Sequence, residues 1–358
     1  MQENEFKKIS DRILSGGRLS DDELLLLHDK ADIHQLGFLA NAIREKLHPE
    51  KLVTYVIDRN INYTDICVSA CKFCAFFKAP EDKKGYLLSK EELAQKIQET
   101  QELGGTQILL QGGLHPDLSL EYYEDILRFM KETGIHIHGF SPPEIYHFVE
   151  ISKLTLSEVI SRLMDAGLDS IPGGGAEILS NRVREATAPR KCNADQWIEV
   201  MEEAHKLGLR TTATMMFGHI ETVQERLEHL RRLRELQDRT KGFTAFIPWP
   251  FQPDNTALAD IAEIEKTTGY GYLRILALSR IYLDNFENIQ ASWVTQGPKI
   301  AQISLYFGAN DFGSTMIEEN VVAAAGISFR LSEKEIRRLV TGAGFEPKQR
   351  LMDYSLVS

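Results

Sequence analysis

A chain of 358 residues, 43% hydrophobic and 26% charged, has the length for one large α/β barrel or two average domains and the composition of a protein with a well-buried core. Its net charge of −11 disfavours binding to a phosphate backbone, although a few local Arg or Lys residues could still hold a small anion. No stretch approaches the roughly 20 apolar residues of a membrane span. Residues 1–8 are polar and lack a secretory apolar segment, so the expected location is the cytosol, with no membrane or nucleic-acid partner. In that reducing setting four cysteines, three of them within eight residues, point to metal or redox chemistry and not to disulfides.

Three polar-faced helical segments open the chain at 3–15, 20–29 and 31–47, with Asp21, Asp22 and Asp32 as helix-start signals. Short β-rich runs then alternate with amphipathic stretches. The strands are expected at 53–57, 107–111, 136–140, 168–171, 210–216, 243–247, 289–294 and 303–307. The helices are expected at 89–103, 119–133, 155–166, 195–207, 221–238 and 257–284. Gly104, Gly134, Gly167 and Gly208 follow apolar-periodic runs, where a left-handed residue can end a helix. A strand followed by a helix needs a parallel crossover, and eight such units predict an α/β fold of the (β/α)8 TIM type with an N-terminal helical extension. A shorter, open barrel is the alternative, because the last crossover is brief. The organisation expected is an extension over 1–50 and one catalytic barrel over 51–358.

Cys67-Val68-Ser69-Ala70-Cys71-Lys72-Phe73-Cys74 reads C-x3-C-x2-C. Thiolates are soft ligands suited to iron–sulfur clusters and to zinc. A cubane cluster normally takes four thiolates, so three on one loop would leave one iron open to an outside ligand. Structural zinc is the alternative, completed by Cys192 or a histidine, but zinc sites usually pair C-x2-C with a second pair, and none exists here. Cys192 itself reads as a bystander thiol.

This pattern, with an aromatic before its last cysteine and a position after the first barrel strand, resembles the radical S-adenosylmethionine (SAM) superfamily. The resemblance implies a [4Fe–4S] cluster on Cys67, Cys71 and Cys74, with SAM on the open iron and one-electron cleavage to a 5′-deoxyadenosyl radical. In a (β/α) barrel chemistry sits at the C-terminal strand ends, and the unusual motifs fall there. Phe73 would flank the adenine or pack. Gly112 and Gly113, after the second strand, would meet the methionine amino group of SAM or form a simple turn. Ser141 and Glu144, in Ser141-Pro142-Pro143-Glu144-Ile145, would touch SAM, or Glu144 would begin a helix. Glu177, after Pro172-Gly173-Gly174-Gly175-Ala176, would accept the ribose hydroxyls, as carboxylates do in dinucleotide sites. Arg184, Arg190 and Lys191 would meet a substrate carboxylate or solvent. His219 would move a proton or bond a helix start, and Asp311 would act as acid, base or hydroxyl-binding group. Trp249, Phe251 and Trp293 would screen a radical from water or simply pack.

Over residues 55–326 these segments resemble the branch containing the futalosine-pathway menaquinone enzymes and the deazaflavin-cofactor synthases. Residues 112–118, 141–145, 170–177 and 243–253 are most similar to the cyclic dehypoxanthine futalosine synthase family. That implies closure of dehypoxanthine futalosine, in which a C4′ radical attacks the benzoate ring, with flavodoxin or ferredoxin as reductant. Glu144, His219 and Asp311 are the candidate bases for the rearomatisation. An aminodeoxyfutalosine synthase-like radical addition is the near alternative. A non-catalytic iron–sulfur electron carrier and a zinc-stabilised binding module are alternatives of other classes.

Overall fold

Local signals set most of the helix starts. Ser20, Asp32, Ser89, Thr155, Asn193, Thr222 and Ser332 each close a capping box, in which the cap side chain takes a backbone N–H and the residue three positions on reaches back. The computed structural model describes residues 3–327 and 329–357. Helices α1 (Glu3–Leu14), α2 (Asp21–Lys30) and α3 (Ile33–Leu47) lead into strands β1 (Leu52–Val56) and β2 (Asp58–Asn62). There follow α4 (Lys90–Glu102), β3 (Gln107–Gln111), α5 (Leu120–Lys131), β4 (His136–Gly139), α6 (Pro142–Ser152), α7 (Leu156–Ala166), β5 (Ser170–Ile171), α8 (Asn181–Thr187) and α9 (Ala194–Lys206). Then come β6 (Arg210–Phe217), α10 (Val223–Thr240), β7 (Phe243–Pro250), α11 (Ala257–Ile261), α12 (Gly269–Tyr282), β8 (Asn288–Ile289) and α13 (Trp293–Ser304). The chain closes with β9 (Asp311–Ser314), α14 (Val321–Ala324), α15 (Glu333–Gly342) and β10 (Glu346–Gln349).

A parallel seven-stranded sheet runs β2-β3-β4-β5-β6-β7-β8, and a three-stranded sheet runs β10-β1-β9. β1 and β2 are one extended segment interrupted at Ile57. Its first half pairs with β10 and β9, and its second half pairs with β3. β9 reaches β8 through a parallel bridge between Gln290 and Asp311, and Asn310 N donates to Ile289 O at 3.1 Å. The ring of parallel strands therefore closes, giving the (β/α)8 TIM-type class. Leu27, Leu36 and Leu39 of the N-terminal helices share one buried core with Leu276 and Ile281 of α12 and with the barrel strands. Among the described residues no helix is long and apolar enough to cross a membrane.

Three expected elements differ. Residues 303–307 do not form the last strand: they end α13 and turn, with Leu305 buried and Ile303 and Tyr306 exposed, a helical and not an alternating pattern. The strand that fills this place is β9, whose Asp-Phe-Gly-Ser sequence carries little β signal and is held by neighbours on both sides. The run at 289–294 is strand only at its start, because Trp293 begins α13. The long helix at 257–284 is two helices, the second starting at the Thr268 cap. The segment after β4, where Glu144 as a helix start was one of two readings, opens α6, with Pro142 and Pro143 in its first turn, where a missing N–H costs nothing.

Asp311 sits in the barrel wall. Its carboxylate pairs with Arg350, accepts from Thr54 Oγ1 at 2.6 Å and from Gly313 N at 2.8 Å, and is fully buried. The pair joins β9, β1 and the end of β10, so the carboxylate expected as an acid, base or hydroxyl-binding group is engaged in the barrel wall. Asp311→Ala leaves the Arg350 guanidinium buried without its counter-charge, a loss expected at about 3–5 kcal/mol. Chemical denaturation of the anaerobically reconstituted protein measures it, and an unchanged midpoint would contradict the wall role.

Candidate active site

The C-terminal ends of the strands form a cleft with two lobes. The loop after β2 carries the three cysteines and is pinned to its surroundings at several points. Val68 N donates to Leu114 O at 3.0 Å, Lys72 N to Thr187 O at 2.8 Å, and Leu258 N to Lys72 O at 2.8 Å. Ala70 takes a left-handed φ of 47° between the first two cysteines. Cys67 Sγ accepts from Leu114 N at 3.3 Å, and Ser69 Oγ lies 3.2 Å from Cys71 Sγ. All three sulfur-bearing residues line one lobe of about 250 Å³. Among the described residues no trio of His, Cys, Asp or Glu converges tightly enough to hold a single ion. A cubane instead takes each thiolate on a different iron, so a spread trio is the donor set that it could use. Burial pushes the Cys71 thiol up to about 11, opposed by the nearby Lys191 charge, and burial also raises Cys74. Loading a metal group there must therefore displace thiol protons.

The opposite wall of this lobe is the Gly112-Gly113 turn, held by Glu144. That carboxylate accepts from Tyr63 Oη at 2.9 Å, Gly112 N at 3.0 Å, Ser141 N at 2.8 Å and Ser141 Oγ at 2.7 Å. A Cβ on Gly112 would stand 2.4 Å from the Tyr63 ring, and one on Gly113 would stand 2.1 Å from Ile66 O. Glu177, at a left-handed φ of 39°, pairs with Lys191 at 3.0 Å and Arg184 at 3.4 Å. Lys191 Nζ lies 5.1 Å from the centre of the Phe73 ring, so these two side chains and Glu177 form one corner of the lobe.

The expected residues thus separate. Cys67, Cys71, Cys74, Phe73, Gly112, Gly113, Ser141, Glu144 and Glu177 meet in one lobe. His219 does not line it: its ring is buried against Met216 O, 3.1 Å from Nε2, and Glu221, 3.2 Å from Nδ1, and burial lowers its basicity. Arg190 is exposed and bonds Val68 O, and Arg184 is buried beneath the Glu177 loop, 3.7 Å from Cys192 Sγ. Glu144, with all its acceptor positions used by the protein, is a bracket for the glycine turn.

The second lobe, about 280 Å³, descends into the barrel and shares Gln111, Gly174, Glu177, Trp249 and Val322 with the first. Asp58, Asn60, Gln107, His138 and Arg350 line it. Among the described residues Gln107 Oε1 and Tyr354 Oη are buried there without a partner, which calls for a polar occupant. None of these residues was singled out from the sequence. The signal existed: β2 is polar at every second position (Asp58, Asn60, Asn62) and β3 at Gln107 and Gln111, a period of two directed at the lumen.

Known proteins resemble this chain along its length. The "Radical SAM superfamily" family matches residues 61–233, and the "CofH/MqnC C-terminal region" matches residues 240–358. The cyclic dehypoxanthine futalosine synthase of Halalkalibacterium halodurans is 46% identical across 98% of this chain and 94% of its own length. That of Streptomyces coelicolor is 46% identical across 98% and 88%. The aminodeoxyfutalosine synthase of Thermus thermophilus is 41% identical across 96% and 93%.

The chain belongs to the radical SAM superfamily. It is a radical SAM enzyme with the C-terminal region of the CofH/MqnC group, and the family implies SAM and a [4Fe–4S] cluster. Solved structures support the barrel. The hydrogenase maturase HydG of Carboxydothermus hydrogenoformans superposes with a TM-score of 0.78 at 19% identity, over 98% of this chain and 81% of its own. Methylornithine synthase (PylB) gives 0.71 at 18%, over 95% and 97%. In this radical SAM enzyme Gly113→Ala should push the Ile66–Cys67 backbone away from the glycine turn. Iron content after anaerobic reconstitution is then expected to fall several-fold with unchanged far-ultraviolet dichroism, and full iron loading would contradict the close-approach role.

Proposed function

We propose that this enzyme closes dehypoxanthine futalosine to cyclic dehypoxanthine futalosine by radical SAM chemistry, a step of menaquinone biosynthesis. The observation that carries the reading is a lobe lined, among the described residues, by three thiols and no fourth cysteine, continuous with a polar lumen of about 280 Å³ that has room for a second ligand. The near-full-length identity to two synthases of that name supports the choice of substrate.

The donor chemistry of the first lobe fits a cluster and SAM. Cys67, Cys71 and Cys74 would hold the cluster, and the amide of Leu114 already donates to a sulfur, as amides around thiolate ligands do. The absence of a Cβ at Gly112 and Gly113 lets this turn pack against Tyr63 and the Ile66–Cys67 backbone, and the turn so held would offer its backbone to the methionine end of SAM. Ser141 and Glu144 hold that turn in place. Glu177 would take the ribose hydroxyls, its own charge balanced by Lys191 and Arg184, and Phe73 would flank the adenine. When bound, the pair supplies a 5′-deoxyadenosyl radical that removes a hydrogen atom from substrate.

The lumen walls do the rest. Amide and hydroxyl groups on β2, β3 and β6 hold the polyhydroxylated part of the substrate, while Trp249 and Trp293 bound the lobe with apolar surface. Ring closure is intramolecular, so holding the ribose carbon against the aryl ring is the main task, and a near-attack pose accounts for much of the rate. A flavodoxin or ferredoxin would deliver the electron.

Anaerobic incubation with SAM, dithionite and dehypoxanthine futalosine, followed by mass spectrometry, tests the reading. A product lighter than substrate by two hydrogens, with methionine and 5′-deoxyadenosine, is expected. An adenosyl adduct formed only with an enolpyruvyl benzoate would overturn it. Replacing Cys67, Cys71 or Cys74 by Ala is expected to abolish deoxyadenosine formation, and retained cleavage would refute the ligand assignment. Glu177→Gln should weaken SAM binding roughly tenfold, about the value of one charge-assisted hydrogen bond, with the cluster intact. Equal SAM affinity in an equilibrium titration would reject the ribose role.

A further inference from the structure

Most ionisable groups around the lumen are already engaged. Asp58 accepts from Gln107 Nε2 at 2.8 Å and from Ser314 Oγ. Glu319 accepts from Asn60 Nδ2 at 3.0 Å and Val322 N at 2.8 Å. Glu177 is paired with Lys191 and Arg184, and Arg350 with Asp311. His138 is different. Its Nδ1 meets the Ser170 hydroxyl at 2.8 Å, and that same oxygen meets His136 Nε2 at 2.8 Å. The other nitrogen, His138 Nε2, bonds to nothing among the described residues, and the ring lines the lumen.

One hydroxyl carries one proton, so Ser170 donates to one imidazole and accepts from the other. When it donates to His136, His138 holds its own proton on Nδ1 and turns a lone pair at Nε2 to the lumen. Burial keeps His138 the free base, pushed down to about 3, and lowers His136 as well. His136 is half-buried at the start of β4, where the carboxylates of Asp169 and Asp353 favour a positive charge and the Lys131 ammonium opposes it. The two rings and the serine form a file from the cleft floor toward the opposite end of the barrel.

We propose that His138 is the base of the ring closure, with Ser170 and His136 as its proton outlet; this rests on the cyclisation reading above. After hydrogen abstraction and attack on the aryl ring, aromaticity requires loss of one electron and one proton. The electron goes to a one-electron acceptor of the iron–sulfur class, equal to the one spent in cleaving SAM. The C–H bond at the attacked carbon breaks heterolytically, its pair returns to the ring, and the proton goes to His138 Nε2. The Nδ1 proton then passes to Ser170, and the serine proton to His136. The sum is substrate and SAM going to product, methionine, 5′-deoxyadenosine and one proton. Low basicity is no obstacle, because a cyclohexadienyl cation is a far stronger acid than an imidazolium.

The test is the ratio of cyclised product to 5′-deoxyadenosine in the reconstituted holoenzyme. His138→Gln is expected to lower that ratio roughly tenfold or more while SAM cleavage continues, since a positioned base commonly contributes about 10²-fold. Ser170→Ala, which keeps the base and cuts its outlet, should give a smaller fall. Unchanged iron content and SAM affinity in both variants separate this from a packing defect. A wild-type ratio in His138→Gln overturns the proposal. Wild-type enzyme that forms deoxyadenosine but no cyclised product overturns the cyclisation reading and the base with it. Histidine-selective 15N resonance of the oxidised wild-type holoenzyme needs no variant. A neutral Nδ1–H tautomer of His138 throughout about pH 5–8 is expected, and an Nε2–H tautomer would overturn the assignment.

Discussion

The site depends on one buried carboxylate. Glu144 stands at the first turn of α6, where burial pushes its carboxyl up and four donors pull it back. Through those donors it joins Tyr63, at the end of β2, to the Gly112 amide after β3 and to its own helix cap at Ser141. Three strand ends are thereby locked together where the cysteine loop departs. The lock permits the glycine turn to touch the loop backbone, and that contact places Leu114 N on the Cys67 sulfur.

The same economy appears at the other corner. Glu177 brings Lys191 and Arg184 together, Lys191 lies over Phe73, and Lys191 is near enough to Cys71 to oppose the cost of burying a thiolate. A carboxylate read as a ribose ligand is thus also the counter-charge for two buried cations. Between the two corners the floor opens into the lumen, where polar side chains replace the branched apolar layers that fill an ordinary barrel. A packed lumen could not admit a second ligand.

Much of this was legible in the residues. The cysteine spacing, the glycine pairs and the βα alternation located the first lobe, because each is a local pattern with a physical cause. What was hidden is non-local. β9 has an unremarkable Asp-Phe-Gly-Ser sequence and is a strand only because β1 and β8 flank it. Asp311 read as an acid, base or hydroxyl-binding group because its partner, Arg350, is 39 residues away. His219 looked well placed, but the loop after β6 turns its ring inward against Glu221. His138 lay unnoticed in a segment read only as a strand, although its alternation with His136 was visible in the chain.

The central claim is that three protein thiolates leave one iron for SAM. Electron–nuclear double resonance of the reduced enzyme, with SAM carrying 15N in its methionine amino group, tests it most directly. A hyperfine coupling from that nitrogen to the cluster is the expected result. A cluster signal indifferent to labelled SAM would mean that a fourth protein ligand closes the site, and the catalytic account would fall.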